Sequence, residues 1–177
     1  MAHTIIITGG ARSGKSVCAE NRAREFGGAL CYLATAQTRD DEMDERVRRH
    51  RERRGAEWTT VEEPIHLSQA LARSDGQFQV ILVDCLTLWI SNLLFTYEES
   101  GEDVEECINQ DLHRLRSTLR TMTTPVILVT NEVGMGIVPD NRLARLFRDL
   151  AGTVNRNLAE GADEVHMVIS GIPLKLK

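Results

Sequence analysis

The chain has 177 residues, 42% of them hydrophobic, a formal net charge of −5 and four cysteines. That length fits one domain able to bury a core without disulfide or metal support, and the composition excludes a disordered or low-complexity chain. The acidic balance argues against a nucleic-acid partner, no apolar run approaches the length of a membrane span, and no charged-then-apolar leader opens the sequence. Cys18, Cys31, Cys85 and Cys107 are scattered without a C-x-x-C pair, and read as small hydrophobes of a protein kept in the reducing cytoplasm.

The first element is a β-branched strand over residues 3–8, and it runs into Gly9-Gly10-Ala11-Arg12-Ser13-Gly14-Lys15-Ser16. This is G-x-x-x-x-G-K-S between a strand and a helix, the setting in which such a loop cradles phosphate. Glycines let successive N–H groups turn inward on an anion, and the positive end of the following helix adds to that field. Lys15 is placed to reach the outer phosphates of a nucleoside triphosphate and Ser16 to ligate Mg²⁺. The helix spans residues 16–26 and stops at Gly27-Gly28. Further strands are expected over 30–34, 80–83, 126–129 and 164–169, each a continuous apolar run of the kind covered on both faces. Between them, Val104, Ile108, Leu112, Leu115, Leu119 and Met122 recur at helical spacing, as do Leu143, Leu146, Phe147, Leu150, Val154 and Leu158. Strand and helix alternate without repeat or linker, so the expected architecture is α/β. It is a single P-loop domain over residues 1–177, with a mainly parallel sheet and helices on both faces.

In such a sheet ligands bind beyond the carboxyl ends of the strands. The polar residues at those ends are the P-loop, Thr35-Ala36-Gln37, Asp84 and Asn131-Glu132. Asp84 stands where a P-loop enzyme keeps the acid that holds Mg²⁺; the competing role is to cap the helix expected over 86–95.

Residues 40–55 carry acids first, arginines second and then Gly55, which matches a helix dipole and its glycine stop. Glu42–Arg46, Asp44–Arg48 and Glu45–Arg49 are acid-before-base pairs at i,i+4, as in any well-solvated helix. Six arginines within residues 46–54 exceed what solubility needs, and those flanking His50 would keep its imidazole neutral and nucleophilic while gripping a triphosphate. A plain exposed histidine is the competing reading.

The sequence resembles the bifunctional adenosylcobinamide kinase / adenosylcobinamide-phosphate guanylyltransferase family of cobalamin synthesis. The resemblance runs in order through Thr8–Ser16, Ala34-Thr35-Ala36, Asp41-Glu42-Met43, Arg46-Val47 with His50, Trp58, Glu62-Glu63-Pro64 and Asp84-Cys85-Leu86-Thr87. It continues through Thr130–Pro139, Phe147-Arg148-Asp149 and Ser170-Gly171-Ile172-Pro173. The resemblance implies a RecA-like sheet and a homo-oligomer, a trimer. It also implies two reactions: ATP or GTP phosphorylates the aminopropanol hydroxyl of adenosylcobinamide, and GTP then gives GMP to a histidine. The adenosylcobinamide phosphate takes that GMP to form adenosylcobinamide-GDP. On this sequence the histidine is His50, with Lys15 also catalytic. The matching nucleotide-binding positions are Gly9, Gly10, Ala11, Arg12, Ser13, Gly14, Lys15, Ser16, Ala34, Thr35, Ala36, Arg51, Glu52, Arg53, Arg54, Glu62 and Asp84. Mg²⁺ falls to Ser16 and Asp84. Glu62 would bond a guanine edge or ribose hydroxyl, unless it is only an exposed loop carboxylate. Asn131 and Glu132 face the site, as corrin contacts or as the group that positions the hydroxyl.

Two other classes compete. A P-loop small-molecule kinase would use the basic helix only as a phosphate lid. A GTP-dependent switch would need Asn-Lys-x-Asp after a late strand, where this chain has Asn131-Glu132-Val133-Gly134.

Overall fold

A computed structural model of the chain describes residues 2–37 and 55–177. Its seven strands form one sheet in the order β3-β2-β4-β5-β1-β6-β7. In chain order they are β1 (Thr4–Gly9), β2 (Leu30–Ala34), β3 (Trp58–Glu62), β4 (Val80–Asp84), β5 (Val126–Val129), β6 (Glu164–Ile169) and β7 (Ile172–Lys175). Every pairing is parallel except β6 with β7. The helices are α1 (Lys15–Arg24), α2 (Leu67–Ser74), α3 (Leu86–Ser100), α4 (Val104–Thr121) and α5 (Arg142–Gly161). The expected α/β class, the mainly parallel sheet and the helices on both faces are all present.

The central strands are apolar on both sides because both sides are covered. On one face α1 packs on the sheet, with Ala19 and Ala23 in one core with Ile5, Ile7, Leu82, Ile127 and Val129. Small side chains on α1 bring it close over the middle of the sheet, and this sets the P-loop directly above β1. The other face carries α2 to α5 in a larger core that includes Ile6, Val83, Leu128, Trp89, Leu115 and Val154.

Helix limits follow local chemistry. Asp103 accepts hydrogen bonds from the Glu105 and Glu106 amides and starts α4, whose buried stripe is Ile108, Leu112, Leu115 and Leu119. Asn141 caps α5 through the Ala144 amide. Helix α3 runs past residue 95 to Ser100, where Gly101 takes φ 74° and ends it.

Two strands and one helix go beyond the sequence expectation. β3 is an edge strand on β2, and its mixed Trp-Thr-Thr-Val-Glu composition reflects partial exposure. β7 returns on β6 through Ser170 and Gly171, both at positive φ (52° and 83°), which is the tight-hairpin geometry that lets Ile169 pair with Ile172. Helix α2 is short and buries Leu67, Ala70 and Leu71. The helix expected within residues 40–54 lies outside the described residues.

Candidate functional site

The P-loop leaves β1 at Gly9 and enters α1 at Lys15. A β-carbon on Gly9 would sit 2.5 Å from the Val168 carbonyl oxygen and 2.7 Å from Ser13 Oγ, so only glycine fits there. Gly14 occupies the N-cap of α1 at φ 93°, and a β-carbon on it would lie 3.2 Å from Gly171 Cα. The loop is closed by Ser13 N–H donating to the Gly10 carbonyl at 3.3 Å, while Arg12 takes a left-handed φ of 57°. The β6–β7 turn buttresses it from outside, its Gly171 N–H donating to the Ser13 carbonyl at 2.8 Å. No sequence motif points to that support, because the turn lies more than 150 residues downstream. Lys15 Nζ lies over the loop, 3.1 Å from the Gly10 carbonyl it donates to. The Ser13 hydroxyl is buried without a hydrogen-bond partner among the described residues, an unsatisfied polar atom inside a loop shaped for phosphate.

Asp84 ends β4, one strand removed from β1, with β5 between them. The N-cap of α3 is Cys85, without a side-chain cap, so Asp84 does not cap that helix. Its carboxylate instead accepts a 3.0 Å hydrogen bond from the Tyr32 hydroxyl on β2. Ser16 and Asp84 offer a hydroxyl and a carboxylate, hard oxygen donors of the type Mg²⁺ takes while keeping several waters. No group of three or more His, Cys, Asp or Glu side chains suited to a metal occurs among the described residues.

Ala34 closes β2 beside Asp84, and Thr35 follows it fully buried. The Thr35 amide donates to the Asp84 carbonyl at 3.2 Å. Its hydroxyl donates to the Cys85 carbonyl at 2.7 Å and accepts from the Cys85 amide at 2.8 Å, and its carbonyl accepts from Asn92 at 2.8 Å. Thr35 thus locks the ends of β2 and β4 together. Ala36 follows it, half-buried at the mouth, and Glu62 stands exposed at the end of β3, paired with Ala34 in register. The structure therefore brings Gly9–Ser16, Ala34–Ala36, Glu62 and Asp84 to one end of the sheet. His50, Arg51, Glu52, Arg53 and Arg54 lie outside the described residues.

Burial pushes the Cys31 thiol up to about 12, against a hydrogen bond from Ser74. It pushes the Cys85 thiol up to about 11, reinforced by the charge of Asp84. Both are inert as nucleophiles at neutral pH. The four cysteines are free. No helix of the described residues is long and apolar enough to cross a membrane.

Comparison with known proteins gives one answer along the whole chain. Residues 5–176 match the family model described as cobinamide kinase / cobinamide phosphate guanyltransferase. The chain is 44% identical over 180 residues to the bifunctional adenosylcobalamin biosynthesis protein CobU of Escherichia coli strain K12, covering 98% of this chain and 99% of that protein. Identity and coverage are the same for the protein of that name from Salmonella typhimurium strain LT2. The bifunctional adenosylcobalamin biosynthesis protein CobP of Pseudomonas aeruginosa PAO1 is 42% identical over 172 residues, covering 97% and 96%. With this site at the head of its sheet, the chain belongs to the cobinamide kinase / cobinamide phosphate guanyltransferase family.

Proposed function

We propose that this chain performs both reactions of its family around one phosphate cradle. It phosphorylates the hydroxyl of adenosylcobinamide with a nucleoside triphosphate, ATP or GTP. It then converts adenosylcobinamide phosphate to adenosylcobinamide-GDP with GTP. The observation that carries this reading is the glycine loop of residues 9–16 held over β1 with the Asp84 carboxylate beyond β5, in a chain that matches the family from residue 5 to residue 176.

The loop amides and the α1 dipole bind the phosphates, Lys15 neutralises the outer ones, and Ser16 and Asp84 would hold Mg²⁺. The ion supplies charge neutralisation on the transferring phosphate groups. In the kinase step the acceptor oxygen forms a bond to the γ-phosphorus as the bond to the bridging oxygen breaks, and the nucleoside diphosphate leaves with the electron pair. In the second reaction His50 attacks the α-phosphorus of GTP, pyrophosphate leaves, and the phosphate oxygen of adenosylcobinamide phosphate then displaces the imidazole. Arg51, Arg53 and Arg54, with Glu52 among them, flank that histidine, and the guanidinium groups suit the charge developing on pyrophosphate. Ala34, Thr35, Ala36 and Glu62 are further nucleotide-binding positions by family resemblance, Glu62 at a guanine edge or a ribose hydroxyl.

Incubation with α-labelled and γ-labelled GTP tests the reading. Protein should take up label from the α-position alone, as an acid-labile, alkali-stable P–N adduct. His50→Ala should lose the adduct and adenosylcobinamide-GDP while phosphorylation persists. A chain that is only a small-molecule kinase takes up no label in either form. The protein works as a homo-oligomer, a trimer by family resemblance; the exposed Ile169, Ile172, Leu174 and Leu176 around the free edge of β7 are surface for such an assembly. Light scattering at micromolar concentration tests it, and a monomer would refute it.

A further inference from the structure

The carboxyl end of β5 is built differently from the other strand ends. β5 lies between β1 and β4, and Val129 is in register with Ile7 on one side and Asp84 on the other. The residues that follow it therefore leave the sheet between the P-loop and Asp84. There a closed ring of hydrogen bonds encircles the Asn131 peptide. Its N–H donates to Thr87 Oγ1 at 2.7 Å, and its carbonyl accepts from Asn155 Nδ2 at 3.1 Å. Asn155 Oδ1 accepts from the Thr130 hydroxyl at 2.7 Å, and Thr130 Oγ1 lies 3.4 Å from Thr87 Oγ1. Because Thr130 donates to Asn155, Thr87 is the donor of that last contact. The ring fixes the orientation of each of its members, with Thr87 supplied by α3 and Asn155 by α5.

The next residue is Glu132. Its amide donates to the Gly9 carbonyl at 3.1 Å, which ties it to the first residue of the P-loop. One carboxylate oxygen accepts from the Gly134 amide at 3.1 Å, and a β-carbon on Gly134 would sit 3.2 Å from that oxygen. The other oxygen has no hydrogen-bond partner among the described residues. Beyond it along the chain, Met135, Ile137 and Val138 are 78%, 95% and 58% exposed, an apolar surface next to Glu132 in sequence. A carboxylate fixed through its backbone on one side of a phosphate site, with an oxygen to spare, is what an attacking hydroxyl needs.

We propose that Glu132 orients the acceptor hydroxyl and takes its proton in phosphoryl transfer, and that Thr87 and Asn155 are the positioning residues that hold it there. The inference rests on the kinase reading above. As the acceptor oxygen bonds to the γ-phosphorus, its proton passes to Glu132 and the nucleoside diphosphate departs with the electrons of the broken bond. The guanylyl step has no hydroxyl to deprotonate, so the two activities respond differently to these side chains.

The experiment measures γ-phosphoryl transfer to adenosylcobinamide, α-labelled GMP adduct and nucleotide Kd on the full-length protein. Glu132→Gln should lower kcat for phosphorylation by about a hundredfold or more and remove the acidic limb of its pH profile. Nucleotide Kd and adduct yield should stay within about twofold of the parent. Thr87→Val should lower the same kcat, whereas Thr87→Ser, which keeps the hydroxyl, should restore it; Asn155→Ala should behave like Thr87→Val. Parent-level phosphorylation by Glu132→Gln overturns the inference alone. So does a Thr87→Val protein that loses nucleotide binding in step with turnover, since the ring would then only shape the P-loop. A parent protein that leaves adenosylcobinamide unphosphorylated overturns the kinase reading, and the inference with it.

Discussion

Lys15 and Asp84 do different work in the proposed site, and their substitution separates the two. Lys15 is a point charge on a flexible stem that already reaches across the loop to the Gly10 carbonyl. Lys15→Ala should lower kcat/KM of both reactions by about a hundredfold or more, as loss of one electrostatic contact to a reacting group does. A folded variant that retains guanylyl transfer would require a second nucleotide site. Asp84 offers a carboxylate held by Tyr32. Asp84→Asn should raise the half-saturating Mg²⁺ concentration about tenfold while the loop amides still bind phosphate. Equal Mg²⁺ titrations of variant and parent would remove Asp84 from the metal site.

Among the elements, α4 carries a cap far from the phosphate cradle in function. The Asp103 carboxylate accepts from two amides of the first turn, and Glu105 and Glu106 add charge of the favourable sign at that end. Asp103→Ala should cost about 1 kcal/mol. For a chain of this size that corresponds to a melting temperature lower by about 2–4 °C. Turnover at 25 °C should be unchanged; a loss of activity would mean that α4 is coupled to the site. At the other end of the scale of tolerance, Gly14→Ala forces a side chain into a left-handed N-cap against Gly171. It should weaken nucleotide binding by about tenfold, the backbone strain of roughly 1–3 kcal/mol falling on the loop itself. Unchanged affinity, read by isothermal titration, would show that the turn at Gly171 yields instead.

The whole molecule is tied together at its N-terminal edge by Glu164, on β6. His166 at 2.9 Å and His3 at 2.8 Å hydrogen-bond its carboxylate, Arg22 of α1 bonds it at 2.9 Å, and Lys175 of β7 stands 3.7 Å away. The hydrogen bonds from His166 and His3, with the charge of Arg22, outweigh desolvation and bring its pKa to about 2. Roughly 4.3 is the unfolded value. A depressed carboxylate contributes stability that is complete above the unfolded value and is lost as pH falls through the folded one. Urea unfolding of Glu164→Gln should therefore depend less on pH than the parent between about pH 5 and about pH 2, where this linkage operates. Parallel pH slopes for the two proteins would refute that role. Asp163, 3.7 Å from His3, is the neighbouring acid and stays in place in both.

By itself the sequence determined what depends on neighbours along the chain. The strand–glycine loop–helix unit of residues 3–26 was legible because each part is local: β-branched residues, glycines where amides turn inward, then helix formers. The central strands were legible because burial on both faces leaves continuous apolar runs, and α4 and α5 because a stripe every third or fourth residue has one interpretation. The edge strands were not: Trp58–Glu62 is half-exposed and mixes polar with apolar residues, and Ile172–Lys175 is a four-residue run interrupted by Pro173, which reads against a strand. The chain order also could not give the strand order. Only the folded sheet inserts β5 between β1 and β4, which turns Asn131-Glu132 from a polar strand end into the ground between the P-loop and Asp84. The docking of Gly171 on Ser13 and the ring joining Thr87, Thr130, Asn131 and Asn155 are likewise contacts between distant parts of the chain. Their hydrogen bonds form only once packing of the two cores has brought those parts together, and no spacing in the sequence records them.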